Sequence, residues 1–227
     1  MIDTRLAPLQ NWLKALQPKW QLDLDTLTPA SADASFRRYF RIESKNPEFG
    51  TLIIMDAPPQ HEPLDAFIKV DFLLADAGLN VPKILEQNSQ EGFLLLNDLG
   101  NETYLAKLNL ETANDLYQDA TQALIKMQIA SKPDVLPNYD RALLQRELDL
   151  FPEWYLKKHL GIELDKQQQA LLQKSFDFII ENNLAQAKVY VHRDYHSRNL
   201  MVTSKNNPGV LDFQDAVYGP ITYDAAS

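Results

Sequence analysis

A chain of 227 residues with 45% hydrophobic and 23% charged side chains has the make-up of a folded globular protein, long enough for one large domain or two modest ones. Its net charge of -9 argues against a nucleic-acid partner, whose phosphates need an excess of Lys and Arg, while a nucleotide stays compatible because one Mg2+ reverses the local field. The absence of Cys excludes disulfides and thiolate metal sites, and no run reaches membrane-spanning length, so the expectation is a cytoplasmic protein with no membrane partner.

Leu6, Leu9, Leu13 and Leu16 recur at helical spacing and predict a short amphipathic helix before Pro18. Three strand-like runs follow, QLDLDTLTPA, FRRYFRI and TLIIMDA, separated by SADAS and by the turn-forming KNPEFG, which predicts a three-stranded antiparallel meander. A helix carries Phe67, Val70, Leu74 and Ala77 on one face and stops at Gly78, with Pro82 behind it. Two more strands are expected around VPKILEQ and GFLLLNDLG. Beyond residue 100 the pattern turns helical: Ala113, Leu116, Tyr117, Ala120, Leu124 and Met127 form one stripe, and Leu144, Leu148, Phe151 and Tyr155 form a second, kinked or interrupted at Pro152. A third helix is read in DKQQQALLQKSFDFII, and short strands return in KVYVH, LMVT and GVLDF. The fold class expected is α+β, with a small β-rich N-lobe over residues 1–98 and a mainly helical C-lobe over 99–227.

The chemistry gathers in VHRDYHSRN, where His192, Asp194 and Asn199 leave an apolar strand, and in LDFQD, where Asp212 follows a second short strand. Phosphoryl transfer needs a carboxylate that orients the incoming hydroxyl and accepts its proton, together with oxygen ligands that hold Mg2+ against the phosphates. Asp194 suits the first task, Asn199 and Asp212 the second. His192 reads as a buried brace and Arg193 as a structural tether. A rival reading puts His192, Asp194 and His196 on one face of an extended segment as transition-metal ligands, but it leaves Asn199 and Asp212 without a role.

These segments, with SADASFRRYFRI, MDAPP, LLADAGLNVPKIL, GFLLLNDLG and RELDLFPEWYL, resemble the aminoglycoside phosphotransferase and choline kinase superfamily, and within it the branch of anomeric amino-sugar kinases. The resemblance implies a protein-kinase-like bilobal fold whose N-lobe binds nucleotide and whose C-lobe holds the catalytic loop and metal site. It implies ATP and Mg2+ as cofactors and transfer of the γ-phosphate to the C1 hydroxyl of N-acetylmuramate and N-acetylglucosamine in cell-wall recycling. Asp194 is then the catalytic base and Asn199 and Asp212 the metal ligands. The backbone of Leu96, Asn97 and Leu99 receives adenine, and the loop from Ser31 to Ser35 covers the phosphates. Asp224 becomes a structural anchor.

The sequence departs from protein kinases in having no Gly-rich loop, no D-F-G and no Lys between Gly50 and His61, with Met55 near the place of the third-strand lysine. Arg38 and Arg41 are the expected substitutes as phosphate ligands, with Arg37 beside them and Asp71 or Asp76 as their acidic partners. Strand alternation separates Arg38 from Arg37 and Arg41. For the acceptor, His196, Arg198 and Glu147 are the candidate contacts. Related kinases continue beyond the equivalent of YDAAS with further helices, so the C-lobe is expected to be incomplete here. Two alternatives share these residues: an aminoglycoside or other small-molecule hydroxyl kinase, and a pseudokinase or nucleotide-binding module.

Overall fold

The computed structural model describes residues 3–31 and 36–226, Ser31 by its backbone alone. The chain forms two compact units, Met1–Ala123 with Ser197–Gln214, and Leu124–His196 with Asp215–Ser227. This grouping differs from a division at residue 98, because residues 99–123 and the stretch 197–214 belong with the β-rich part.

The first unit opens with α1 (Leu6–Trp20). It runs through Pro18 rather than stopping before it. A proline in the last turn removes one backbone bond, while Trp12, Leu16 and Trp20 still pack against the core. The sheet consists of β1 (Leu22–Ser31), β2 (Arg38–Ser44), β3 (Thr51–Asp56), β4 (Ile84–Asn88) and β5 (Phe93–Asn97) in the order β1-β2-β3-β5-β4, all neighbours antiparallel. The predicted meander is therefore present, and the second pair of strands extends it by one edge.

One sheet face meets α1. Leu9 and Leu13 pack there on Leu22, Ile42, Leu52, Ile54, Phe93 and Leu95, each fully buried leucine contributing about 2 kcal/mol. Between β3 and β4 lies α2 (Leu64–Asp76), which buries Phe67, Val70 and Leu74 of the expected stripe, while Ala77 falls at its C-cap. The unit also holds α3 (Tyr104–Lys107), capped by the Thr103 hydroxyl, and the hairpin of β7 (Leu200–Met201) with β8 (Gly209–Val210). The helix α4 (Ala113–Ile129) is divided by the boundary at residue 123.

The second unit contains α5 (Arg141–Leu150), a π-helix (Phe151–His159), α6 (Lys166–Leu184), the pair β6 (Lys188–Val191) and β9 (Val217–Pro220), and α7 (Tyr223–Ala226). The second apolar stripe is interrupted at Pro152 as expected: α5 ends at Leu150, and Phe151 and Tyr155 are exposed. Pro152 has no N–H to continue the α-helical ladder, and the chain winds on in wider turns, with the Leu160 N–H bonded to the Tyr155 carbonyl at 3.0 Å. The helix α6 starts in a capping box of Asp165 and Gln168. The core joins Tyr139, Leu144, Ile180, Val189, Val191 and Val217. No helix among the described residues is long and apolar enough to cross a membrane.

Candidate active site

The sheet face opposite α1 carries the site of the first unit. Arg41 pairs with Ile53, and Ile53 with Leu96, so these three project to the same side. With Ala30, Tyr39, Phe67, Pro82, Asn97 to Asn101, Thr103, Arg198, Asn199, Met201, Leu211, Asp212 and Phe213 they enclose a cavity of about 520 Å³. Its walls are apolar where Ala30, Ile53, Leu96, Met201, Leu211 and Phe213 meet, and Phe67 and Phe213 pack ring to ring at 4.9 Å. Volume and lining suit a flat aromatic ligand with a polar extension.

The polar rim is held in place by its own bonds. The buried Asp98 carboxylate accepts from Arg41 Nε at 2.6 Å and Nη2 at 3.1 Å, from the Thr51 hydroxyl at 2.9 Å and from the Gly100 N–H at 2.9 Å. Arg41 also donates to the Gly100 carbonyl at 3.0 Å. Asn97 gives its N–H to the Lys83 carbonyl at 3.1 Å and accepts from the Lys83 N–H through its side chain. The rim is thus a pre-formed edge, with Arg41 engaged in building it.

Arg38 lies elsewhere. It stands across from Asp56 on the α1 face of the sheet, donates from Nε to that fully buried carboxylate at 2.9 Å, and also bonds Asp3. Arg5 reaches the other oxygen of Asp56 at 2.7 Å. Arg38 is therefore a fastener of the N-terminal helix and lines no part of the cavity. Alternation separated Arg38 from Arg41, but which arginine met the cavity depended on the face that α1 covers. Arg37 pairs with Glu62. Asp71 is buried in α2, and its Oδ1 has no hydrogen-bond partner among the described residues; burial pushes its carboxyl up to about 7. Met55 is fully buried. Ser35 lies outside the described residues, as does the side chain of Ser31.

Asn199 and Asp212 come together at the cavity. The amide of Asn199 donates to Asp212 Oδ2 at 3.3 Å, Gln214 donates to Oδ1 at 2.8 Å, and the Leu211 N–H bonds the Asn199 carbonyl at 2.9 Å. Asp212 lies beyond β8 rather than within a strand and adopts φ 63°, a left-handed conformation that only Asn, Asp and Gly visit readily. One carboxylate and one amide oxygen form a small, hard donor set. Exposed Arg198 lines the same cavity.

Asp194, His196 and Glu147 belong to the second unit. Asp194 is exposed at the end of β6. Its N–H donates to His192 Nδ1 at 3.3 Å, and its carbonyl accepts the His196 N–H at 3.0 Å. His192 is fully buried, and its own N–H bonds Asp224 Oδ2 at 2.7 Å. The Arg193 N–H bonds the other Asp224 oxygen at 2.9 Å. His192 braces the loop, and the rival metal reading finds no group of three His, Asp or Glu side chains among the described residues. His196 is exposed. Glu147 points into its own unit, where its carboxylate binds Arg193 and the Tyr139 hydroxyl.

Sequence reasoning did not single out Asp98, Tyr39 or Ile53. The parity of Ile53 with Arg41 across β2 and β3 was the available signal.

The chain is 48% identical over 229 aligned positions to a Pseudomonas aeruginosa protein named N-acetylmuramate/N-acetylglucosamine kinase, covering 98% of this chain and 67% of that protein. It is 44% identical over 227 positions to a protein of the same name from Neisseria meningitidis serogroup B, covering 98% of this chain and 66% of the relative. The chain therefore spans about two thirds of the length of these curated relatives. Among solved structures, the ADP-bound aminoglycoside phosphotransferase APH(2'')-Ib superposes with a TM-score of 0.64 at 14% identity, over 98% of this chain and 74% of that one, a likeness of fold. The model of the phosphotransferase enzyme family matches residues 26–227, and the chain belongs to that family.

Proposed function

We propose that this chain carries the nucleotide and catalytic machinery of an ATP-dependent kinase that phosphorylates the C1 hydroxyl of N-acetylmuramate and N-acetylglucosamine. The observation that carries the reading is 44–48% identity, over 98% of the chain, to kinases named for those two sugars. The aminoglycoside neighbours share the fold at 14–18% identity and add no support for an antibiotic acceptor.

In this reading the cavity of the first unit takes the nucleotide. Adenine lies between the apolar walls, and Asn97, engaged with Lys83, leaves the polar contacts of the base to the backbone of Asp98 and Leu99. Arg198 meets the phosphates. Asn199 and Asp212 hold Mg2+, a role their hard oxygen atoms fit because Mg2+ keeps several waters and uses few protein ligands. When bound, the ion neutralises charge on the phosphates. Asp194 orients the sugar hydroxyl and accepts its proton; an anomeric hydroxyl, more acidic than an ordinary alcohol, asks little of that base. His196 remains the candidate contact for the muramate carboxylate. In lobe terms, residues 1–98 supply the nucleotide-facing sheet and 99–227 the catalytic loop and metal ligands. The setting is cytoplasmic.

The test is ATP consumption with Mg2+ against N-acetylmuramate, N-acetylglucosamine, an aminoglycoside and choline, with phosphorus NMR to locate the new ester. A C1 phosphate on both amino sugars is expected. Phosphate transferred only to the aminoglycoside or choline, or ATP hydrolysed without transfer to any of them, would overturn the assignment.

A further inference from the structure

Within the second unit, beside Asp194, four side chains with no step in the proposed transfer converge: Tyr139, Glu147, Arg193 and Tyr223. Glu147 projects from α5 with three quarters of its side chain buried. One of its oxygens binds the Arg193 guanidinium, and the other accepts the Tyr139 hydroxyl and lies 3.5 Å from that of Tyr223. Burial raises both phenols, keeping them protonated and able to donate. The Arg193 guanidinium also reaches the Asp215 carbonyl at 3.4 Å and sits 5.9 Å from the centre of the Tyr139 ring.

The backbone of Arg193 explains why such a grip is needed. Its φ is 78°, in the left-handed region that a long side chain rarely adopts and that persists only where the surroundings impose it. Asp224 holds the peptide N–H of this residue and of the one before it. That fixes the main chain from one side. The ion pair with Glu147 fixes the side chain from the other. Asp194 is the next residue, so the turn at Arg193 sets the direction in which its carboxylate leaves β6.

We infer that Glu147 is a positioning residue: by gripping Arg193 it holds the strained turn that aims Asp194. The inference rests on the reading of Asp194 as the base. It also gives Glu147 a task other than contact with the sugar. Both of its oxygens are already engaged inside the unit, one by the guanidinium and the other by the phenol.

Glu147→Gln keeps the size of the side chain and an acceptor for Tyr139 but removes the charge that binds Arg193. We expect kcat to fall about 10- to 100-fold, the scale of a modest misplacement of a catalytic group, with KM for sugar and for ATP changed less than about 2-fold. Arg193→Met should act alike, and the double variant should be no worse than the worse single one, because both remove the same link. Hydrogen exchange of the unliganded protein should quicken over residues 192–196 in Glu147→Gln. A rise in sugar KM with kcat intact would make Glu147 a substrate ligand and overturn the inference, as would unchanged exchange with additive losses. If the unaltered protein phosphorylates neither sugar, the functional reading fails, and the exchange measurement still decides the clamp.

Discussion

Asp71 offers the sharpest test of the electrostatics of the first unit. It sits in α2 with 3% of its surface exposed, and its Oδ1 has no hydrogen-bond partner among the described residues. Desolvation alone moves its carboxyl from 3.8 to about 7. Between those values the folded protein holds a proton that the unfolded chain has released, so stability falls as pH rises through the window and levels off above about 7. At roughly 1.4 kcal/mol per pH unit, the full displacement amounts to about 4 kcal/mol. Asp71→Asn has the same shape and no charge to bury. It should therefore be more stable than the parent protein by on the order of 4 kcal/mol at pH 8.5, and by about 2 kcal/mol at pH 5. Urea unfolding of the two proteins at matched pH values measures the difference, with an unchanged denaturant slope showing that the same surface is exposed. A difference that stays flat from pH 5 to 8.5 would refute the reasoning, since it would mean that Asp71 is ionised throughout and paired.

Two further outcomes follow from the site. Asp194→Asn should lower sugar turnover by at least ~100-fold, the low end of a general base's contribution, while the dissociation constant for ADP, measured by calorimetry, stays within about 2-fold. Arg41→Met leaves the buried Asp98 carboxylate without its bidentate partner, so the protein should lose about 2–3 kcal/mol of stability and bind nucleotide more weakly; adding Asp98→Asn should restore part of the stability, as chemical denaturation will show.

Much of the architecture was legible because short strands with alternating faces and helices with an apolar stripe advertise themselves locally. The meander, α2 and the stop at Gly78 are of this kind. The strand β9 was not, because VYGP has the composition of a turn. It pairs with β6, and Gly219 is required there by a neighbour distant in sequence: a Cβ would stand 2.7 Å from the Cβ of Tyr139. The π-helix escaped for a related reason. Pro152 announces that the α-helical ladder stops, and nothing local says that the chain will keep winding.

The site shows the same division between chemistry and direction. The residue types in HRDYHSRN and LDFQD suggest a base and a hard-ligand set because few other tasks want those groups in that spacing, and Asn199 and Asp212 do meet. What a side chain touches is set by the whole fold. Arg38 and Arg41 are three residues apart with the same chemistry, yet α1 covers one face of the sheet and turns Arg38 into a fastener, while Arg41 goes to the cavity rim. Glu147 has the chemistry of a sugar ligand, and Arg193 consumes it. The arginines offered in place of the third-strand lysine illustrate the consequence: Arg38 and Arg41 are each bound to a buried aspartate. In the proposed reading the phosphates are then met by Arg198, next to Asn199, rather than by an arginine on the sheet. On that proposal, grip on the phosphates would come from the same segment that carries Asn199, the proposed metal ligand, which would tie nucleotide positioning to the geometry of that loop.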